Sequence, residues 1–199
     1  MQADAGAAPS VAEQVAPAHT DWLYHHLTVT GPEQQVAAFR RAAAGAGVIP
    51  WTLDLDRIEE DFFLRLAAPV KGPRTLLLDG ARMLAAELRD AVAHRHAASV
   101  ARVGRSNACP FDLHALVPVP ADVLRFGPDH PDAVQWLWTH WGTTQALRHV
   151  VRRPSPGDNR QGFSVGFWAA DWTPWRAVAT VRAAWPALRI EVRPKYEAT

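Results

Sequence analysis

The chain has 199 residues, of which 48% are hydrophobic and 21% charged, enough to build a packed core and too apolar for wholesale disorder. A formal net charge of +1 argues against a surface given over entirely to nucleic acid. One cysteine excludes a disulfide framework within the chain, and no stretch approaches the roughly 20 apolar residues of a membrane span, so a soluble cytoplasmic protein is expected.

Residues 1–20 are small, polar and proline-punctuated, and read as a flexible tail ahead of one domain over 21–199. Residues 22–30 (WLYHHLTVT) alternate and are rich in aromatic and β-branched side chains, which predicts a strand ended by Gly31-Pro32. The next run places Val36, Phe39 and Ala43 on one helical face, with Pro32 in the first turn and Gly45 and Gly47 as the stop. Asp54 can cap a helix through about residue 67, striped by Leu55, Ile58, Phe62 and Leu66. Residues 69–73 read as a loop. The longest helix is expected over 80–103, with Leu84, Leu88, Ala91 and Val92 inward.

Residues 111–119 (FDLHALVPV) alternate before Pro118 and Pro120, which predicts a second strand. A helix follows over 129–141 and stops at Gly142. Short strands are expected at 149–153 and 163–169, separated by a turn at 155–161. Thr173 reads as the cap, and Pro174 as the first residue, of a helix through residue 184. Residues 188–193 (LRIEVR) alternate as a final strand. Strands and helices in this order imply an α+β domain, an antiparallel sheet with helices on one face, interrupted by a mostly helical insertion at about 48–108.

Four pieces carry a family resemblance. They are Trp22 with LTVTGP at 27–32 and VAAF at 36–39; CPFDLHALVPVP at 109–120; WLWTHWGTT at 136–144; and FWAADWTPWRAV at 167–178 with AWPALRI at 184–190. In that order the chain resembles the YubB-like ferredoxin-like domain family of plasmid and phage proteins. Trp138 stands where that family tends to have Cys, and His140 where it has Asn. The resemblance implies a ferredoxin-like fold and a mobile-element origin, and it implies no activity. It implies no iron–sulfur cluster either, since one cysteine cannot supply four thiolates.

Nine tryptophans and a late excess of arginine are the least ordinary features. Residues 1–80 carry 6 basic and 10 acidic side chains, whereas 81–199 carry 15 and 10. The segment 148–160 (RHVVRRPSPGDNR) is locally basic, and in a regular strand Arg148 and Arg152 would share a side. Backed by Trp138 or Trp141, it could grip a phosphate backbone while an aromatic ring stacks on a base. The candidate binding residues are therefore Arg148, Arg152, Arg153, Trp138, Trp141 and His140. The expected function is a non-enzymatic module for nucleic acid, single-stranded or RNA. The alternatives are a protein-docking module that uses exposed Trp and Arg, and an enzyme that uses Cys109 with His114 and Asp112. The nine histidines show no zinc-ligand spacing, because His25-His26 diverge on a strand and His94 and His96 diverge on a helix. No phosphate-loop or nucleophile-elbow motif is present, so no catalytic residue, cofactor or metal is expected.

Overall fold

A computed structural model describes residues 21–68, 76–154 and 162–195. The expected tail at 1–20, the loop at 69–73 and the turn at 155–161 lie outside the described residues. The elements run β1 (Trp22–Thr30), α1 (Glu33–Ala43), α2 (Leu55–Ala67), α3 (Leu78–Val100), α4 (Leu113–Leu116), α5 (Ala121–Leu124), α6 (Pro131–His140), β2 (Arg148–Arg152), β3 (Gly162–Ala170), α7 (Trp175–Ala184) and β4 (Arg189–Lys195).

The four strands form one sheet in the order β2-β3-β1-β4, with every neighbouring pair antiparallel. This is the ferredoxin-like arrangement. The alternation in β1 decides which face is inward: His25, Leu27 and Val29 are buried, while Tyr24, His26, Thr28 and Thr30 are half-buried on the other side. The register stacks like on like. Leu27 sits between Val165 and Val192, and Val29 between Phe163 and Ile190. Helices α1 and α7 cover this apolar layer with Val36, Phe39 and Ala43 from one and Ala177, Val178 and Val181 from the other. Burying a side chain such as Leu27 or Phe39 is worth about 1.5–3 kcal/mol each.

Residues 111–119 are not a strand. Gly45 and Cys109 exchange two backbone hydrogen bonds of 3.0 and 2.9 Å, the Asp112 N–H donates to the Ala43 carbonyl at 2.8 Å, and the chain then makes the single turn α4. Asp112 ends any extended path here, because its carboxylate accepts the His114 N–H at 2.9 Å as a helix cap. Phe111 and Leu113 both enter the core, so two apolar residues two apart imitated strand alternation. Thr173 is likewise not a cap. Its buried hydroxyl meets His25 Nε2 at 2.8 Å, and α7 begins after Pro174 without a side-chain cap.

Between Gly45 and Cys109 the chain makes its helical excursion. Asp54 caps α2 by accepting the Arg57 N–H at 3.0 Å. Helices α2 and α3 pack antiparallel, with the Arg89 guanidinium 3.4 Å from Glu59 and that of Arg82 4.4 Å from the Phe63 ring centre. The buried positions of α3 are Ala81 and Ala85. Leu84, Leu88 and Val92 are half-buried and Ala91 is exposed. His96 Nε2 lies 2.7 Å from the Trp51 carbonyl oxygen and ties α3 back to the chain that leads into the excursion.

Candidate nucleic-acid interface

Helices cover one side of the sheet, and the other side carries the aromatic and basic side chains. Period-two alternation places Trp22, Tyr24 and His26 there from β1. Trp168 is the one residue of β3 that is not fully buried, and it lies opposite Tyr24 in the ladder. The Tyr24 ring is 5.2 Å from Trp168 at 54° and 5.3 Å from the His26 ring at 75°. The Arg153 guanidinium lies 5.9 Å from the Tyr24 ring centre, a cation on this cluster.

Gly166 makes the cluster possible. A Cβ at this position would collide with the Tyr24 hydroxyl and would lie 3.1 Å from Arg153 Nε. Tyr24 therefore crosses β3 over the glycine and meets Arg153, whose Nη2 and Nε donate to its hydroxyl at 2.7 and 3.2 Å. At the β2 edge the Arg148 guanidinium lies 4.1 Å from the Trp22 ring centre, a cation–π contact. On the β4 side, Arg193 and Lys195 are opposite His26 and Tyr24. Glu191, the acid of this strand, is lowered from its usual value, first by its hydrogen bond from Arg189 and also by Arg193 at 3.1 Å. The His26 imidazole is pushed down by desolvation, and the nearby charges of Lys195 and Arg153 add to this. A surplus of positive charge thus surrounds a set of ring faces.

The residues singled out from sequence divide. Arg148 and Arg153 are on this face, but Arg152 is not. The register of β2 shifts between Arg148 and Val151, where His149 adopts φ 48°. The shift puts Arg148 and Val151 on the side of Trp168 and Gly166, and Arg152 on the side of Val165. Trp141 is a core residue, 1% exposed, with its indole N–H donating to the Val117 carbonyl at 2.9 Å, so it cannot stack on a base. Trp138 is half-buried and His140 exposed on α6, in the helical layer, where His140 stacks on Trp136 at 4.3 Å. Sequence reasoning missed Trp22, Tyr24, His26 and Trp168. The signal was available, because Trp22, Tyr24 and His26 are spaced by two in a segment already read as a strand.

The Cys109, His114 and Asp112 set is absorbed by structure. The Cys109 thiol donates to the Phe111 carbonyl at 3.3 Å, and burial, helped by the Asp112 charge, pushes it up to about 11, which leaves little thiolate at neutral pH. His114 Nδ1 accepts the Val119 N–H at 3.2 Å, and the two Asp112 oxygens accept the Gly47 and His114 N–H groups. Among the described residues, no three His, Cys, Asp or Glu side chains converge as a metal site, and no helix is long and apolar enough to cross a membrane.

Fold and face together define an α+β domain of ferredoxin-like topology whose second sheet surface, free of helices among the described residues, carries aromatic and basic side chains. No family model and no curated protein matches the chain. A solved structure of protein api92 from Yersinia pseudotuberculosis, of family model DUF1281, is similar at a TM-score of 0.47 and 12% identity, covering 88% of this chain and 90% of that one. A likeness of that size carries no argument about activity.

Proposed function

We propose that the protein binds single-stranded nucleic acid on this second face of its sheet. The observation that carries this reading is the Tyr24–Trp168–His26 cluster, laid over Gly166 and flanked by Arg148, Arg153, Arg193 and Lys195. Aromatic faces take unstacked bases at about 1–3 kcal/mol per base, and arginines around them meet phosphates. A duplex hides its base faces and offers this surface only charge. Kinship with the YubB-like family, and the plasmid or phage setting it implies, belongs to the same proposal. It rests on the four sequence pieces, and the strand order is compatible with it.

The test is fluorescence anisotropy with a labelled single-stranded RNA and DNA oligonucleotide. Tyr24→Ala and Trp168→Ala are each expected to weaken binding by about five- to a hundredfold. Affinity is expected to fall steeply with added salt. An oligonucleotide that fails to bind even at low salt, or that binds both variants as tightly as the parent, would end this reading. The protein-docking alternative has its own observation in Trp172 and Trp175, which are 57% and 40% exposed. It predicts a co-purifying protein lost in the Trp172→Ala, Trp175→Ala double variant, with oligonucleotide affinity unchanged.

A further inference from the structure

A cavity of about 790 Å³ opens beside the β2 edge of the sheet, between α3, α6 and the chain leading into β2. Its volume falls in the range of small-molecule sites. One wall comes from the helical excursion and includes Trp51, Val92 and Arg95; the other includes Val134, Arg148 and Asp171. Trp51, Val92 and Val134 give an apolar slot. Arg95 and Arg148 bring cations to the lining, and Asp129 and Asp171 bring carboxylates, of which Asp171 Oδ2 already accepts the Thr144 hydroxyl.

Two further observations mark this place. His149 and Asp171, with φ of 48° and 62°, are the non-glycine residues with left-handed backbone among those described. Asp171 lines the cavity and His149 follows Arg148, so this costly conformation sits at the cavity's edge. Asp171 is also tied down on several sides. Its N–H donates to the Asp21 carbonyl at 2.6 Å, the Thr144 hydroxyl donates to its Oδ2, and the neighbouring Thr143 hydroxyl donates to the Ala170 carbonyl at 2.8 Å. Arg148 belongs to both places, since it lines the cavity and its guanidinium lies 4.1 Å from the Trp22 ring centre on the sheet face.

We infer that this cavity is a nucleotide pocket that takes one unpaired, phosphate-bearing nucleotide with an amino-substituted base, at the end of a strand crossing the sheet. The inference rests on the sheet-face reading for the strand's path. The base enters the apolar slot, its phosphate meets Arg95 and Arg148, and its amino group donates to Asp129 or Asp171. Adenine, cytosine and guanine carry that amino group. Uracil presents carbonyl oxygens on both sides of its N–H, and these repel a carboxylate. The helical excursion thereby acquires a role as the outer wall of the pocket.

Isothermal titration of the full chain with AMP, CMP, GMP and UMP tests this. At least one amino-bearing monophosphate is expected to bind, with UMP at least about fivefold weaker. Val92→Trp, which fills the slot, and Arg95→Glu, which reverses charge at an exposed position, are each expected to weaken that binding by about tenfold or more. Circular dichroism melting monitors the fold, and Arg95→Glu carries the test if Val92→Trp does not fold. UMP binding as tight as the others, binding that survives both substitutions, or no monophosphate binding at all would overturn the inference. The Tyr24→Ala, Trp168→Ala double variant separates the two readings, since it should lose oligonucleotide affinity and keep monophosphate affinity. Oligonucleotide binding that depends on Tyr24 and Trp168, without any monophosphate binding, removes the pocket alone. Monophosphate binding without oligonucleotide binding removes the sheet-face reading, and with it the placement of a strand end.

Discussion

Gly166 and His25 lie on opposite faces of the same sheet and illustrate two kinds of constraint. At Gly166 the constraint is space, because Tyr24 and Arg153 lie where a side chain would begin. Gly166→Ala must move Tyr24 off β3, and should weaken oligonucleotide binding about as much as Tyr24→Ala does, within about threefold, while costing roughly 1–3 kcal/mol of stability. Comparing its affinity with that of Tyr24→Ala checks this. At His25 the constraint is desolvation. Its ring is fully buried, stacks on Phe167 at 5.2 Å and bonds Thr173, and burial lowers its pKa from 6.5 to about 4. Below the unfolded pKa the unfolded chain takes up a proton that the folded chain refuses. The neutral ring's contribution is therefore complete above 6.5 and lost as pH falls towards 4. Between about pH 7.5 and about pH 4.5 the parent should lose about 2–3 kcal/mol that His25→Phe does not lose. Urea denaturation at the two pH values measures it, and equal losses would assign the effect to other groups.

At the scale of the elements, what could be read from the residues depended on whether one periodicity governed a segment. β1 was legible to its bounds, because its nine aromatic and β-branched-rich residues, alternating from Tyr24 to Thr30, run up to Gly31-Pro32 and nothing local competes. The stop at Gly142 was legible too, since φ 77° there suits glycine and closes α6. Residues 111–119 were not, because the Asp112 cap and the contacts to Ala43 and Gly45 come from tertiary placement. The side of Arg152 was hidden for a related reason: the shift in β2 turns on His149 taking a backbone conformation that its sequence does not announce. This shift has a consequence for binding. Arg153→Ala should reduce oligonucleotide affinity and lower the slope of log affinity against log salt by about 1, whereas Arg152→Ala should leave both near the parent values. Anisotropy titrations over a salt series distinguish them.

Across the whole molecule, the sheet joins distant parts of the chain. β1 precedes the helical excursion, and its partners β3 and β4 follow it. The proposed binding face is therefore assembled only when the fold is complete, with the apolar core directly beneath it. Leu27→Ala, under the centre of β1, should cost about 2–5 kcal/mol. The late excess of basic residues, spread along the sequence, is partly gathered by this topology into β2 and β4 on either side of the aromatic strip. In the proposed mode of binding, bases stack on that strip. Its most direct test is a nitrogen-15 NMR titration of the full chain with a short single strand. The largest shifts are expected on Tyr24, His26, Gly166 and the Trp168 indole. Shifts confined to α6 and the start of α7, around Trp138, Trp172 and Trp175, would contradict it.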